Sequence, residues 1–444
     1  MGRYFGTDGI RGEANKTLSV HTAFKIGLYL GHYFNDDLKG RILIGKDTRL
    51  SSSMLEHALA AGICSGGSDV YLMHVSPTPA VAYVTRHHNF DAGVMISASH
   101  NPYYDNGIKI FDQDGMKLSS DLEAMIEDFI DDEFKIPLAV DTRIGETIDY
   151  QSGLDSYLEW LSSLFDMDLK GMKVVIDVAN GSATTTARRL LEAKEADVVT
   201  LFDHPNGVNI NNHCGSTYPE ALQKAVLEHN ADVGFAFDGD ADRLIVVDEQ
   251  GRVLNGDHIL YVVATHLNEY DQLNHNTIVA TIMSNLGLFK SLEKHKVAVV
   301  QTRVGDKFVH QKMVEDNYNL GGEQSGHIIF SEHSTTGDGL LTAMKLLEIK
   351  KQTGLSMSDL VRDFKTYPQV LKNVSVKNKH KVLDDKEMKD LISTINYQLN
   401  DEGRILVRPS GTESLIRVMV EADTLDTCHK YVDQVINKIV TKGL

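Results

Sequence analysis

RILIGKDTRLSSSMLEHALAAGICSGGSDVYLM, residues 41–73, decides the fold class. Arg41 to Gly45 is a short apolar run that reads as a buried strand. Ser52 to Ile63 follows, with serines at its start and apolar residues at helical spacing. Asp69 to Met73 is a second strand-like run. Strand, helix and strand in so short a span form a βαβ unit, which predicts mostly parallel sheets covered by helices.

The rhythm restarts twice. Met172 to Asp177 runs into Asn180-Gly181-Ser182, and Thr277 to Thr281 runs into Ser284-Asn285-Leu286-Gly287. Each is an apolar strand, a small polar loop and a helix-like segment, so three related α/β units are expected. Between the first two, Leu154, Tyr157, Leu158, Leu161, Leu164 and Phe165 recur at the spacing of an amphipathic helix that also carries the single tryptophan, Trp160. A charge-rich stretch near Lys377 to Lys389 precedes two strands, Arg404 to Val407 and Leu415 to Val420, around a polar turn. A smaller α+β domain is expected there. The boundaries are taken as 1–150, 151–251, 252–366 and 367–444.

Composition limits the function. The chain has 444 residues, 42% of them hydrophobic, which is enough for several cores. Its three cysteines, Cys64, Cys214 and Cys428, are far apart and form no CxxC pair, which predicts a reduced, cytoplasmic protein without disulfides or a cysteine zinc site. No apolar run is long enough to span a membrane. Met1 to Gly6 shows neither a signal peptide nor a myristoylation pattern. The net charge of -18 gives no general reason to bind nucleic acid. An anionic ligand would need local arginines and lysines to overcome that field.

Four loops carry residue types suited to chemistry. In SASHNPYYDNGIK, Ser99 lies beside His100 just past an apolar strand, and Lys109 follows a turn. A serine becomes a useful nucleophile when a neighbour takes its proton or its leaving group is activated. In DGDADR, Asp238, Asp240 and Asp242 alternate after a strand. In extended chain they would face one side and suit a hard cation such as Mg²⁺. An EF-hand is rejected, because its loop glycine position holds Arg243 and a strand follows. An aspartyl-phosphate at this loop stays open as a rival. In GGEQSGH, Glu323 can accept from two adjacent hydroxyls and Ser325 can both donate and accept, as a sugar requires. In RPSGTES, the backbone at Ser410, Gly411 and Thr412 could form an anion nest, completed by Arg408 and Arg417. A fifth loop, TDGIRG, places Arg11 between glycines.

SASHNP, DGDADR, GEQSGH and RPSGTE, in this order, resemble the α-D-phosphohexomutase family over essentially the whole chain. TDGIRG and Gln324 are similar to its glucosamine branch. Ser414 departs from the pattern, which usually has Pro there. The resemblance implies three α/β domains and a C-terminal α+β domain of the TATA-binding-protein-like type around a central cleft. It implies a phosphorylated Ser99, with Mg²⁺ held by Asp238, Asp240, Asp242 and that phosphate. It implies Lys109 as general acid/base, expected to be desolvated and to titrate near neutrality, with His100 as runner-up and Arg11 assisting. Arg243, Glu323, Ser325 and His327 would contact the sugar. Arg408, Ser410, Gly411, Thr412 and Arg417 would hold the non-reacting phosphate.

The implied reaction interconverts glucosamine 6-phosphate and glucosamine 1-phosphate through a 1,6-bisphosphate, supplying amino-sugar precursors such as UDP-N-acetylglucosamine. The substrate is then a glucosamine phosphate, with no nucleic acid or membrane as partner and a homodimer as one candidate assembly. Rivals are a glucose- or mannose-phosphate mutase of the same family, an aspartyl-phosphate phosphotransferase and a non-catalytic sugar-phosphate sensor.

Overall fold

The computed structural model describes residues 2–36, 38–409 and 415–443, apart from the side chain of His380. The chain divides into two compact units. One comprises residues 1–283 and 297–362; the other comprises 284–296 and 363–444.

Three sheets build the larger unit. The stretch 41–73 folds as expected: the strand Arg41–Lys46, the helix Ser52–Gly66 and the strand Asp69–Val75. Arg41–Lys46 pairs in parallel with Asp69–Val75 on one side and Ala92–Ile96 on the other. Ala92–Ile96 turns back into the antiparallel strand Asp105–Asp112. All five residues of Ala92–Ile96 are buried, as an apolar run covered on both faces requires. The helices Val20–Tyr33 and Ser52–Gly66 pack backbone to backbone. A Cβ on Gly62 would lie 2.2 Å from the Phe24 carbonyl oxygen, so only glycine permits this approach.

The second sheet runs in the order Val253–Leu254, Leu244–Asp248, Val233–Phe237, Lys173–Asp177 and Asp197–Leu201. The third runs Ala298–Thr302, Thr277–Thr281, Leu320–Gly322 and Ile328–Phe330. In each, parallel strands meet one strand of opposite direction, Ile328–Phe330 at the edge of the third sheet and Leu244–Asp248 in the second, where Val253–Leu254 pairs antiparallel beyond it. The helix Ser152–Ser163 buries Leu154, Tyr157, Leu158 and Leu161, and its Trp160 stacks on Tyr83 with centroids 4.2 Å apart.

The smaller unit is an antiparallel sheet, Gln369–Ser375, Leu415–Glu421 and Arg404–Pro409, with the helices Lys386–Leu399 and Leu425–Lys442. The helix Leu286–Lys294 also belongs to it; Leu286 N–H and Asn285 Nδ2 both donate to the buried Glu421 carboxylate.

Candidate active site

Ser99 follows the buried strand Ala92–Ile96 and is itself fully buried, with φ at +54°. A left-handed backbone is costly for serine and persists only where its surroundings hold it. Here the Ser99 N–H donates to Ser97 Oγ at 2.9 Å, and the carbonyl accepts from Arg49 Nη2 and Asn211 Nδ2, each at 2.8 Å. The hydroxyl thereby points at the acidic loop and donates to Asp238 Oδ2 at 2.6 Å.

The acidic loop follows the strand Val233–Phe237, but it is not the extended run expected from period-two aspartates. Residues 238–243 form a turn, closed by Ala241 N–H donating to the Asp238 carbonyl at 3.1 Å and with Ala241 at φ +57°. The turn, rather than strand alternation, brings Asp238, Asp240 and Asp242 together, with one oxygen of each within 4.8 Å of the others. Gly239 lets the loop approach Ser99, since a Cβ there would meet the Ser99 carbonyl oxygen at 2.6 Å.

The three carboxylates are buried. Asp240 Oδ1 and Asp242 Oδ1 have no hydrogen-bond partner, a costly state for buried carboxylate oxygen. Three converging carboxylates with two orphaned oxygens fit a hard, oxygen-seeking divalent cation. Burial and the charges of Asp242 and Asp240 push Asp238 well above the usual carboxylate range. Asp242 is also buried, yet Lys109, His327 and Arg243 hold it well below that range.

Lys109 departs from expectation. Its ammonium is 2% exposed and lies 2.7 Å from Asp240 Oδ2, 3.1 Å from Asp242 Oδ2 and 3.0 Å from Asp8 Oδ2. Burial alone would lower its pKa, but these carboxylates carry it well above the ordinary lysine value. It stays charged at neutral pH and does not titrate there. His100 does the opposite: burial and the charges of Arg243 and Arg11 push it down to about 4. Its ring is neutral at pH 7. Its Nδ1 lies 3.1 Å from Arg243 Nη1 and 3.3 Å from Ser99 Oγ. With the guanidinium as donor, Nδ1 is the unprotonated nitrogen.

Charge continues outward from Lys109. Asp8 pairs with Arg11, Lys109 and Lys117, and Lys117 reaches Asp306. Asp306 begins the helix Asp306–Glu315. Glu323 Oε1 accepts from Gly305 N–H at 3.1 Å, just before that helix. Ser325 Oγ is buried without a partner. His327, expected on the sugar, is 2% exposed; its Nε2 accepts from Gly337 N–H at 2.9 Å, and its Nδ1 faces Asp242 Oδ2 at 3.7 Å. In this structure its ring lies against the acidic loop. Gln324, too, turns its amide away, to Asp257 Oδ2 at 3.0 Å.

In the smaller unit, Arg408 and Arg417 stand directly opposite each other on adjacent antiparallel strands. Burial and the charge of Arg417 depress the Arg408 pKa. Ser410, Gly411 and Thr412 lie outside the described residues.

Sequence reasoning missed Asp8, Asp47, Arg49, Lys117, Asn211 and Asp306. A signal for two of them was present. Asp47 and Arg49 follow a strand that neighbours the Ser99 strand in parallel, so the two loops emerge at one sheet edge.

Comparison with known proteins places this arrangement. Family models for phosphoglucomutase/phosphomannomutase match in four consecutive pieces: alpha/beta/alpha domain I over residues 2–136, domain II over 155–251, domain III over 255–367 and the C-terminal domain over 371–438. Phosphoglucosamine mutase of Lachnoclostridium phytofermentans is 51% identical over 444 residues, covering 100% of this chain and 99% of that protein. Phosphoglucosamine mutase of Bacillus subtilis is 48% identical over 441 residues, covering 99% and 98%. Among solved structures, a phosphoglucomutase/phosphomannomutase family protein of Burkholderia thailandensis superposes with a TM-score of 0.80 at 24% identity, covering 98% of this chain and 97% of the other. Aspergillus fumigatus N-acetylphosphoglucosamine mutase, in complex with GlcNAc-6P and magnesium, gives 0.73 at 20%, covering 99% and 96%. These two likenesses bear on the fold. With all four family models in chain order and relatives matched end to end, the chain belongs to the phosphoglucomutase/phosphomannomutase family.

Proposed function

We propose that this chain interconverts glucosamine 6-phosphate and glucosamine 1-phosphate, with Ser99 as the phosphoryl carrier. Phospho-Ser99 gives its phosphoryl group to the free 1-hydroxyl of the substrate. The 1,6-bisphosphate turns end for end, and Ser99 receives the other phosphoryl group. The names of the full-length bacterial relatives support the substrate. The carrying observation is the Ser99 hydroxyl, held in a buried left-handed turn and 2.6 Å from a cluster of three aspartates.

Phosphoryl transfer depends on positioning and charge neutralisation more than on covalent chemistry by the protein. Asp238, Asp240 and Asp242 would hold Mg²⁺, which when bound polarises the phosphoryl group and eases departure of the serine alkoxide. The permanently charged Lys109 offsets Asp8, Asp240 and Asp242 and keeps their carboxylates from repelling the incoming phosphate. Proton transfer at the Ser99 oxygen falls to the neutral His100 ring, whose Nδ1 lies 3.3 Å from Ser99 Oγ, while Lys109 acts as a fixed positive charge. Arg243 and Arg11 face the transferring group. Glu323 and Ser325 read sugar hydroxyls, and Ser325 offers an unpaired Oγ for this. Arg408 and Arg417, with Ser410, Gly411 and Thr412, take the non-reacting phosphate. Two guanidiniums opposed across a sheet repel, and an anion between them relieves the repulsion. We place the reaction in the cytoplasm, in keeping with three free thiols.

Intact-mass measurement joined to a glucosamine-phosphate isomerisation assay tests this reading. The purified protein should carry a phosphate mapping to Ser99, and Ser99→Ala should lose both the added mass and turnover. Full-speed isomerisation by Ser99→Ala would overturn it.

A further inference from the structure

We propose that Arg49 is a positioning residue for the phosphoryl carrier: its guanidinium, locked by Asp47, grips the carbonyls around Ser99 and sets the left-handed turn that aims the hydroxyl at the acidic loop. The inference rests on Ser99 as carrier and concerns a residue that touches neither substrate nor reacting atoms.

Arg49 is 2% exposed, and each of its five guanidinium N–H groups has an acceptor. Nε donates to Asp47 Oδ2 at 2.7 Å. Nη1 donates to the Pro102 carbonyl and to the Asp105 carbonyl at 3.0 Å. Nη2 donates to the Ser99 carbonyl at 2.8 Å and the Asn101 carbonyl at 2.9 Å. Four carbonyls of one loop thus converge on one rigid fork. Such convergence is unfavourable without a planar, multiply donating cation, and lysine's three donors cannot reproduce it.

The same ion pair also reaches the other side of the Ser99 peptide. Asp47 Oδ2 accepts from Ser97 Oγ at 2.7 Å, and Ser97 Oγ accepts from Ser99 N–H at 2.9 Å. Both backbone polar groups of Ser99 are therefore tied to Asp47 and Arg49. Asn211, from the second α/β segment, adds a parallel hold: its Nδ2 donates to the Ser99 carbonyl at 2.8 Å and the Asn101 carbonyl at 3.1 Å. A residue that only stabilised the fold would not need all its remaining donors on this loop.

The test compares Arg49→Lys, Asn211→Ala and Ser99→Ala in the full chain, charged with a hexose 1,6-bisphosphate. The readouts are kcat, KM for glucosamine 6-phosphate, the phosphoserine ³¹P resonance and the thermal midpoint. Arg49→Lys should lower kcat roughly a hundredfold with KM changed by less than about threefold, because misplacing a reacting group by about an ångström costs that much. Its phosphoserine resonance should shift. Asn211→Ala should move the same quantities in the same direction, by roughly tenfold in kcat. If Arg49→Lys does not fold, Asn211→Ala decides alone. Should the folded variants keep kcat within about threefold of the parent, or lose kcat/KM only through a rise in KM, the positioning role is overturned. Full turnover by Ser99→Ala would instead overturn the carrier reading itself, so the two failures are distinct.

Discussion

At the scale of single residues, the main lesson is how charge state follows from neighbours that sequence distance hides. Lys109 sits ten residues after Ser99, and desolvation alone would favour a lysine titrating near neutrality. Asp8, Asp240 and Asp242 reverse that, and they come from remote parts of the chain. Lys109→Met should therefore lower kcat at least about a hundredfold, the scale of losing one fixed charge that stabilises the transferring group. It should also destabilise the protein by roughly 3–5 kcal/mol, because buried carboxylates lose their counter-charge. Steady-state kinetics and chemical denaturation check the two parts separately. Ser99 and the three aspartates were legible because each stands just past an apolar strand, where a polar cluster has no packing reason. Arg49 and Asn211 were not, since their partners are backbone carbonyls that leave no side-chain pattern to match.

Elements were legible where periodicity was strong. The strands and helix of 41–73 and the strand Thr277–Thr281 match their expected spans closely. The acidic loop was misjudged because alternation mimics a strand, while Gly239 and Ala241 make it a turn. The close helix seam at Gly62 also left no clear sign beforehand, as glycine spacing alone does not say what backbone passes nearby. Gly62→Ala should cost about 1–3 kcal/mol by overpacking, read as a lowered thermal midpoint with KM unchanged. Another element carries a pH signature. Asp338 caps the helix Gly339–Thr353 through Leu341 N–H, accepts from Tyr157 Oη at 2.8 Å, and is pushed up to about 6 by burial. Between its ordinary value of 3.8 and about 6, the folded chain keeps a proton that the unfolded chain releases. This group's contribution to stability therefore falls as pH rises through that window, by roughly 3 kcal/mol in all. Asp338→Asn keeps a cap and a partner for Tyr157 but cannot ionise, so its denaturation curves should lack that fall.

At the scale of the whole molecule, the acidic balance of the chain is repeated in the cluster around Asp240. Among the described residues, Asp8, Asp238, Asp240, Asp242, Asp306 and Glu323 gather around the cations Arg11, Lys109, Lys117 and Arg243. A divalent ion held by Asp238, Asp240 and Asp242, as proposed, would restore balance, so chelation should lower the thermal midpoint as well as abolish turnover. Restoring Mg²⁺ at about a hundred times its dissociation constant should return roughly 2.7 kcal/mol. On the proposed reading, Arg408 and Arg417, opposed across two strands of the smaller unit, would supply the local positive charge that an anion needs on a chain of net charge -18. Arg417→Ala should raise KM for the phosphosugar about tenfold or more, with a smaller effect on kcat. Three α/β units were legible from the repeated strand–loop–helix rhythm and a smaller C-terminal one from the two strands after a charge-rich stretch, whereas the grouping of Ser284–Lys296 with the C-terminal segment was not, because it depends on tertiary contacts to Glu421. The carbonyl of residue 99 is held from residue 49 on one side and residue 211 on the other, with Gly239 pressed against it. Recombination between cousins of this chain meets a hidden constraint in that clasp. A crossover in the long interval after Asp112 should yield folded hybrids with little turnover unless both parental halves bring a matched grip.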